Sequence, residues 1–225
     1  MLSIKSTLTG VFRGYQVRGI IMLKGLLIMA CISHVLCGYS DCLLSYGKNG
    51  RLNLKELSDP EKMSRMFERM PLWQPMTSII LGTFSITAFT FGYLTLCSWM
   101  YQYSTSVSYV MLVSTILFAV PIVTHHIICG LVEWFYIKLG RTNEARTLVL
   151  DFQKKTIVTM IVGYLGEIVF LVSFFIMVIS GQTGLPQWAC IINTLPVVLL
   201  FLPTKVPAKG NVAGALMFLG LAILL

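Results

Sequence analysis

Six titratable side chains sit inside or at the edge of long apolar runs: His34, Asp41, His125, His126, Glu133 and Glu167. Imidazole and carboxylate groups exchange protons near neutral pH, and the same groups ligate zinc. A charged side chain in hydrocarbon costs about 2.5–3.5 kcal/mol on insertion scales, so such residues are expected to face a partner, a cavity or a site. His34 and Asp41 are seven residues apart, as are His126 and Glu133. Seven residues make nearly two helical turns, so each pair shares a stripe. At about 1.5 Å per residue, His34, His126 and Glu167 lie at similar depth, roughly 16–18 Å from one end of their runs. Asp41 and Glu133 lie closer to that end. The spacing predicts a polar cavity walled by the first, third and fourth spans and lined by His34, Asp41, His126 and Glu167. His125 is turned about 100° from His126, towards Cys129. Gly163 and Gly166 beside Glu167 permit close helix approach.

Three kinds of chemistry fit this set. His34, His126 and Glu167 are adequate zinc ligands, which would make an intramembrane metal-dependent hydrolase with bound water as nucleophile. Against it, HExxH is absent, and the adjacent rings of His125 and His126 point different ways. The same groups suit the relay of a small proton-coupled transporter, although six spans without an internal repeat are few for one. The third reading is a membrane protein that interacts with a lipid or small molecule, or whose polar set ties the bundle together, and this is the leading expectation. Structural roles compete at single residues: a hydrogen-bonded His34, a helix-capping Asp41, Glu133 in an interfacial ion pair with Lys138. No nucleotide-binding loop or nucleophile elbow is present, and whether the chain is an enzyme stays open.

The elements that must hold these residues follow from composition. Of 225 residues, 56% are hydrophobic and 12% charged, against about 25% charged in soluble domains. Mean hydropathy is +0.80. Such a chain lacks the polar shell of a soluble helical core, so an all-α, polytopic bundle in a lipid bilayer is expected. Apolar runs mark about six spans: 23–46, 76–99, 109–136, 156–180, 187–202 and 211–225, with Pro121 a kink candidate in the third. Residues 58–70 read as a short amphipathic helix on the membrane surface, capped at Ser58-Asp59-Pro60, and 141–146 as a solvated helix. The six cysteines lie in or beside apolar runs without zinc-knuckle spacing, as small buried hydrophobes do.

The net charge of +8 is gathered at the ends of runs and in connectors. Connectors 47–70, 138–155 and 203–210 hold six, five and two basic residues, whereas those after the second and fourth spans hold none. By the positive-inside rule the basic connectors are cytoplasmic and both termini lie on the far side. No groove-reading basic face appears, which excludes nucleic-acid binding. Residues 1–22 form a basic extension that conflicts with this orientation, and Met22 is a candidate for the true start. The remainder, 23–225, reads as one membrane domain.

Three segments carry a resemblance: GYSDCLLSYG (38–47), AVPIVTHHIICG (119–130) and 180–218, SGQTGLPQWACIINTLPVVLLFLPTKVPAKGNVAGALMF. Together they resemble an uncharacterised family of small bacterial multi-span membrane proteins, a domain of unknown function. Two departures from its pattern are Tyr39 and Ser40, which separate Gly38 from Asp41, and Gln187, where a basic residue is expected. The resemblance implies a bacterial inner-membrane location and marks Asp41 and one of His125 or His126 as family-like positions. It implies no activity.

Overall fold

The computed structural model describes residues 2–47, 50–52 and 56–225, with side chains from residue 19 onward. Apart from a small antiparallel hairpin, β1 (Tyr46–Gly47) with β2 (Gly50–Arg51), the described elements are helical. They are α1 (Leu2–Ser45), α2 (Pro60–Phe67), α3 (Trp73–Met100), α4 (Thr105–Lys138), α5 (Asn143–Thr156), α6 (Val158–Ile179), a 3-10 helix (Gln187–Ile192), α7 (Thr194–Phe201) and α8 (Lys209–Leu224). Residues 2–22 run without a break into the first span. The basic side chains that make this extension conflict with the expected orientation, Lys5, Arg13 and Arg18, lie outside the described residues.

Among the described residues, four segments are long and apolar enough to cross a membrane: Gly19–Ser45, Trp73–Met100, Thr105–Lys138 and Asn143–Ile179. In the last, α5 is the polar lead-in and α6 the apolar part. The chain is a polytopic helical membrane protein, and its exposed side chains along the spans are those lipid accepts, such as Ile32, Phe84, Val113 and Ile176. α3 is rich in hydroxyls, yet Thr83, Ser85, Thr87, Thr90 and Thr95 each donate to the carbonyl four residues back. No hydroxyl of that series meets hydrocarbon unpaired. α4 continues as one helix through Pro121.

The expected count of six spans is overturned. Residues 187–202 do not form one helix, because Asn193 breaks the run. Its Oδ1 accepts from the Leu195 N–H at 3.0 Å as an N-cap, and its Nδ2 donates to the Leu171 carbonyl of α6 at 3.0 Å. Pro196 follows in the first turn of α7, where its missing N–H costs nothing. α7 has eight residues, about 12 Å, and α8 has sixteen, about 24 Å. Both fall short of a hydrocarbon core about 30 Å thick. Together they make a short hairpin that leans on the other helices.

The packing is a closed set of neighbours. α3 lies between α1 and α4, α6 lies along α4, α8 lies along α1, and the 3-10 helix and α7 bridge α6 to α8. α8 runs antiparallel to α1, since Asn211 meets Gly38 and Gly214 meets His34. Half of the interior is filled by aromatic rings: Tyr93 stands 4.8 Å from Phe170, 5.0 Å from Phe218 and 5.3 Å from Phe118.

At the opposite end, which carries the basic connectors, α2 forms as its sequence predicts, capped by Asp59 with Pro60 in the first turn. It does not rest its apolar face on the membrane. Met63, Phe67 and Met70 are buried against Tyr136, Ile137, Ala145 and Val149 of α4 and α5. Arginine explains the difference. Arg141 donates from Nε to the Phe67 carbonyl at 3.0 Å and from Nη2 to the Met70 carbonyl at 3.2 Å, and Arg146 donates from Nη1 to the Ser58 carbonyl at 2.7 Å. These bonds satisfy the last carbonyl of α2 and carbonyls flanking the helix on both sides, and they tie α2 to the protein.

Candidate functional site

The polar residues assemble where α1, α3, α4 and α8 meet, nearer the basic end. α1 supplies His34, Ser40 and Asp41, α3 supplies Ser78, α4 supplies His126 and α8 supplies Asn211. Gln74, in the first turn of α3, holds this end of α1 by donating from Nε2 to the Leu43 and Tyr46 carbonyls at 2.8 and 2.7 Å. Ser40 and Ser78 then lock α1 to α3 reciprocally. Ser40 Oγ donates to the Ser78 carbonyl at 2.9 Å, and Ser78 Oγ donates to the Ser40 carbonyl at 2.8 Å.

His126 reaches this lock from α4 by crossing α3 at Gly82. A Cβ on Gly82 would stand only 2.0 Å from His126 Nε2, so no other residue leaves the passage open. The ring is 7% exposed, with Nε2 at 3.1 Å from the Ser78 carbonyl, 3.1 Å from Ser40 Oγ and 3.3 Å from Ser78 Oγ. Nδ1 faces Asp41 Oδ1 at 3.4 Å, and the Asp41 side chain is 35% exposed. Asp41 is thus the open end of the cluster.

Asn211 links Asp41 to the second histidine. Its Nδ2 donates to Asp41 Oδ2 at 2.7 Å, which turns its Oδ1 to accept from the Nδ1–H of His34 at 3.1 Å. A carboxylate accepts only, so the amide orientation follows from Asp41. With its proton on Nδ1, His34 keeps a lone pair on Nε2, which is buried without a hydrogen-bond partner. Its ring is wedged instead, stacked on Phe89 at 4.1 Å and pressed on Gly214, where a Cβ would stand 2.6 Å away.

The structure thus brings His34, Asp41 and His126 together: hydrogen bonds link His34 to Asn211 and Asn211 to Asp41, and Asp41 Oδ1 lies 3.4 Å from His126 Nδ1. It leaves the other sequence candidates apart from these residues. His125 turns towards α6, with Nε2 3.4 Å from Cys129 Sγ and Nδ1 3.4 Å from Thr159 Oγ1. Glu133 is buried with Oε2 unpaired. Glu167, on α6, lies within electrostatic range of Cys37, Tyr93 and Tyr164, and Asp41 is within range of Cys37 and Tyr164. Asp41 and Glu167 thus both act on Cys37 and Tyr164. The expected wall of first, third and fourth spans needs correcting, because α3 stands between α1 and α4 and contributes Ser78 and the Gly82 passage. As for zinc at His34, His126 and Glu167, no group of three His, Cys, Asp or Glu side chains among the described residues is close enough to hold a metal ion. His34 and His126 are separated by Asn211 and Asp41.

Residues 18–223, nearly the whole chain, match a family of unknown function, DUF6796. The chain belongs to this family. No curated protein and no solved structure matches it. The match spans all four membrane helices and the C-terminal hairpin, so the junction of α1, α3, α4 and α8 lies within the family's extent.

Sequence reasoning missed Asn211, Ser40, Ser78 and Gly82. Asn211 had a signal: it is a polar residue opening an otherwise apolar run. Ser40 stands beside Asp41. Nothing local distinguishes Ser78 or Gly82 from the other hydroxyls and glycines of α3.

Proposed function

We propose that the protein is a membrane-embedded binding protein, and that the interior shared by Asp41 and Glu167 receives a small molecule or lipid with a positively charged headgroup. One observation carries this reading. Two carboxyl side chains, Asp41 on α1 and Glu167 on α6, stand within apolar spans, and among the described residues no lysine or arginine forms an ion pair with either. Intramembrane carboxyls ordinarily have a partner or a site. Asp41 has the Asn211 amide and one histidine, and Glu167 has none of these. An ammonium head supplies the missing charge.

The basic connectors orient the molecule with that interior towards the cytoplasm, and the family resemblance of the sequence favours a bacterial inner membrane. α8 then ends on the far side, so a reporter fused after Leu225 is expected to read as external. A cytoplasmic signal sinks that orientation.

Binding is tested by native mass spectrometry of the protein released from nanodiscs of equal phosphatidylethanolamine and phosphatidylglycerol. Wild type is expected to retain the amine-headed lipid preferentially. Glu167→Gln and Asp41→Asn are expected to lose that preference while circular dichroism stays unchanged. Equal retention of both lipids by wild type, or an unchanged preference in both variants, refutes the proposal.

A further inference from the structure

Three side chains stay outside both the polar junction and the proposed headgroup site: His125, Cys129 and Glu133. They stand four residues apart on α4, so they share one stripe with a helical turn between neighbours. His125 Nε2 lies 3.4 Å from Cys129 Sγ, and its Nδ1 lies 3.4 Å from Thr159 Oγ1, across the seam with α6. Thr159 Oγ1 donates to the Thr156 carbonyl at 2.8 Å, which leaves its lone pairs to the ring. That arrangement suits an imidazole with its hydrogen on Nδ1 and the lone pair of Nε2 turned to the thiol. Glu133 is 9% exposed, and its Oε2 has no hydrogen-bond partner. Long side chains on a helix lean towards its N-terminus, which aims this carboxyl back over Cys129. The stripe reaches the rim of the bundle at the end that carries the basic connectors. A Cβ on Gly130, next to Cys129, would stand 3.3 Å from the Pro75 carbonyl in the first turn of α3, close to the exposed Trp73. Cys129 and His125 are both half-buried there.

We propose that Cys129 and His125 form an acyl-transfer pair: Cys129 takes a fatty acyl group from a thioester carrier at the rim of the bundle, with His125 as its base and Thr159 positioning the ring. A thiol within hydrogen-bond reach of an imidazole, itself oriented by a third group, is the arrangement of a nucleophile and its base. The rim sets the substrate class. A fatty acyl chain rests in hydrocarbon while its carbonyl and its carrier stay at the interface, where Cys129 stands. Thiol and thioester exchange nearly evenly, whereas drawing an acyl group from an oxygen ester onto sulfur runs uphill, so the donor is a thioester. Cys129 Sγ attacks the carbonyl carbon as the thiol proton passes to His125 Nε2. The tetrahedral intermediate then expels the carrier's sulfur, which takes that proton from Nε2. One carbon–sulfur bond forms and one breaks, and nothing is oxidised or reduced. A carrier with an N–H near its sulfur also gives Glu133 Oε2 the partner it lacks. This pair does not depend on what Asp41 and Glu167 bind.

The test uses the full chain in lipid nanodiscs with palmitoyl-coenzyme A, followed by intact mass and peptide mapping. Wild type is expected to gain one hydroxylamine-labile palmitoyl group, on Cys129. Cys31 and Cys42 are also partly exposed, and among the described residues neither hydrogen-bonds a histidine, so they serve as controls within the same molecule. His125→Gln is expected to slow the gain at Cys129 about a hundredfold, as loss of a general base does, with Cys31 and Cys42 unchanged. Thr159→Val is expected to slow it less, and Thr159→Ser to restore the wild-type rate. A wild type that takes no palmitoyl group overturns the proposal, as does one that takes it equally fast on Cys31 or Cys42. Neither result requires a variant to fold. His125→Gln labelled at the wild-type rate overturns it as well.

Discussion

The interior divides into an aromatic half and a polar half, and the two are held by different means. In the aromatic half, Phe89, Tyr93, Phe118, Phe170, Phe174 and Phe218 are all at most 3% exposed, and the Tyr93 hydroxyl is buried without a partner. In the polar half, Ser40, Asp41, Ser78, His126 and Asn211 each make at least one side-chain hydrogen bond or ion pair with a neighbouring helix. Lipid tails are as apolar as the side chains they would replace, so burial alone does not draw membrane helices together. Shape does it in the first region and partner identity in the second. His34 belongs to both: one face stacks on Phe89, and Nδ1 bonds to Asn211. Its unpaired Nε2 marks the boundary.

If shape rules the aromatic half, truncation there does the most harm. Phe170→Ala removes a ring from contact with Tyr93 and Phe174 and is expected to cost about 3–5 kcal/mol, as core ring deletions do. Reversible unfolding in mixed micelles measures it, and a negligible loss would break the comparison. Next comes the passage at Gly82. Gly82→Ala drives a methyl into His126, and overpacking of this kind costs about 1–3 kcal/mol. The double variant with His126→Ala is expected to be markedly less destabilised than the sum of the singles, because the clash and the ring vanish together. Strict additivity would place His126 elsewhere. Asn211→Leu keeps volume and removes both bonds, leaving Asp41 and His34 short of a partner each. The expected cost is about 1–3 kcal/mol, and magnetic resonance of nitrogen-15 histidine in the protein should show His34 losing its fixed Nδ1–H form. A variant as stable as wild type, with His34 unchanged, would remove Asn211 from the centre of the polar half.

The smallest effect lies outside both halves, at the cap of α2. The Lys62 backbone N–H bonding to the carboxylate, with a lesser part from Lys62's charge and the Glu61 N–H, holds Asp59 below the usual carboxylate range. A lowered folded value means the cap helps above the ordinary value of about 3.9 and fades as pH falls through the folded one. Amide exchange at Lys62 is expected to quicken under that acidification and in Asp59→Ala, with little change in Asp59→Asn. An acid-insensitive Lys62 amide would show that Asp59 is not the cap.

Much of this was legible in the residues. Hydropathy located all four spanning helices, and the seven-residue spacings put His34, Asp41 and His126 on interior faces. The count of six failed at Asn193, because a mean over an apolar run does not register one amide that caps a new helix and bonds to Leu171. The zinc set shows a related limit of the sequence: equal depth on separate helices does not by itself bring ligands together, and α3 lies between the helices of His34 and His126.

Composition and period settled the membrane, the helices and the faces, since these depend on transfer energy and on 3.6 residues per turn, both local properties of the chain. Which helix lies beside which was settled by close approach, at Gly82 beneath His126, at Gly214 beneath His34 and at Gly166 against the backbone of α4. The surroundings of His126 belong to that second level. The serine pair, the Ser78 carbonyl and Asp41 come within reach of its ring only once α1, α3 and α4 have met.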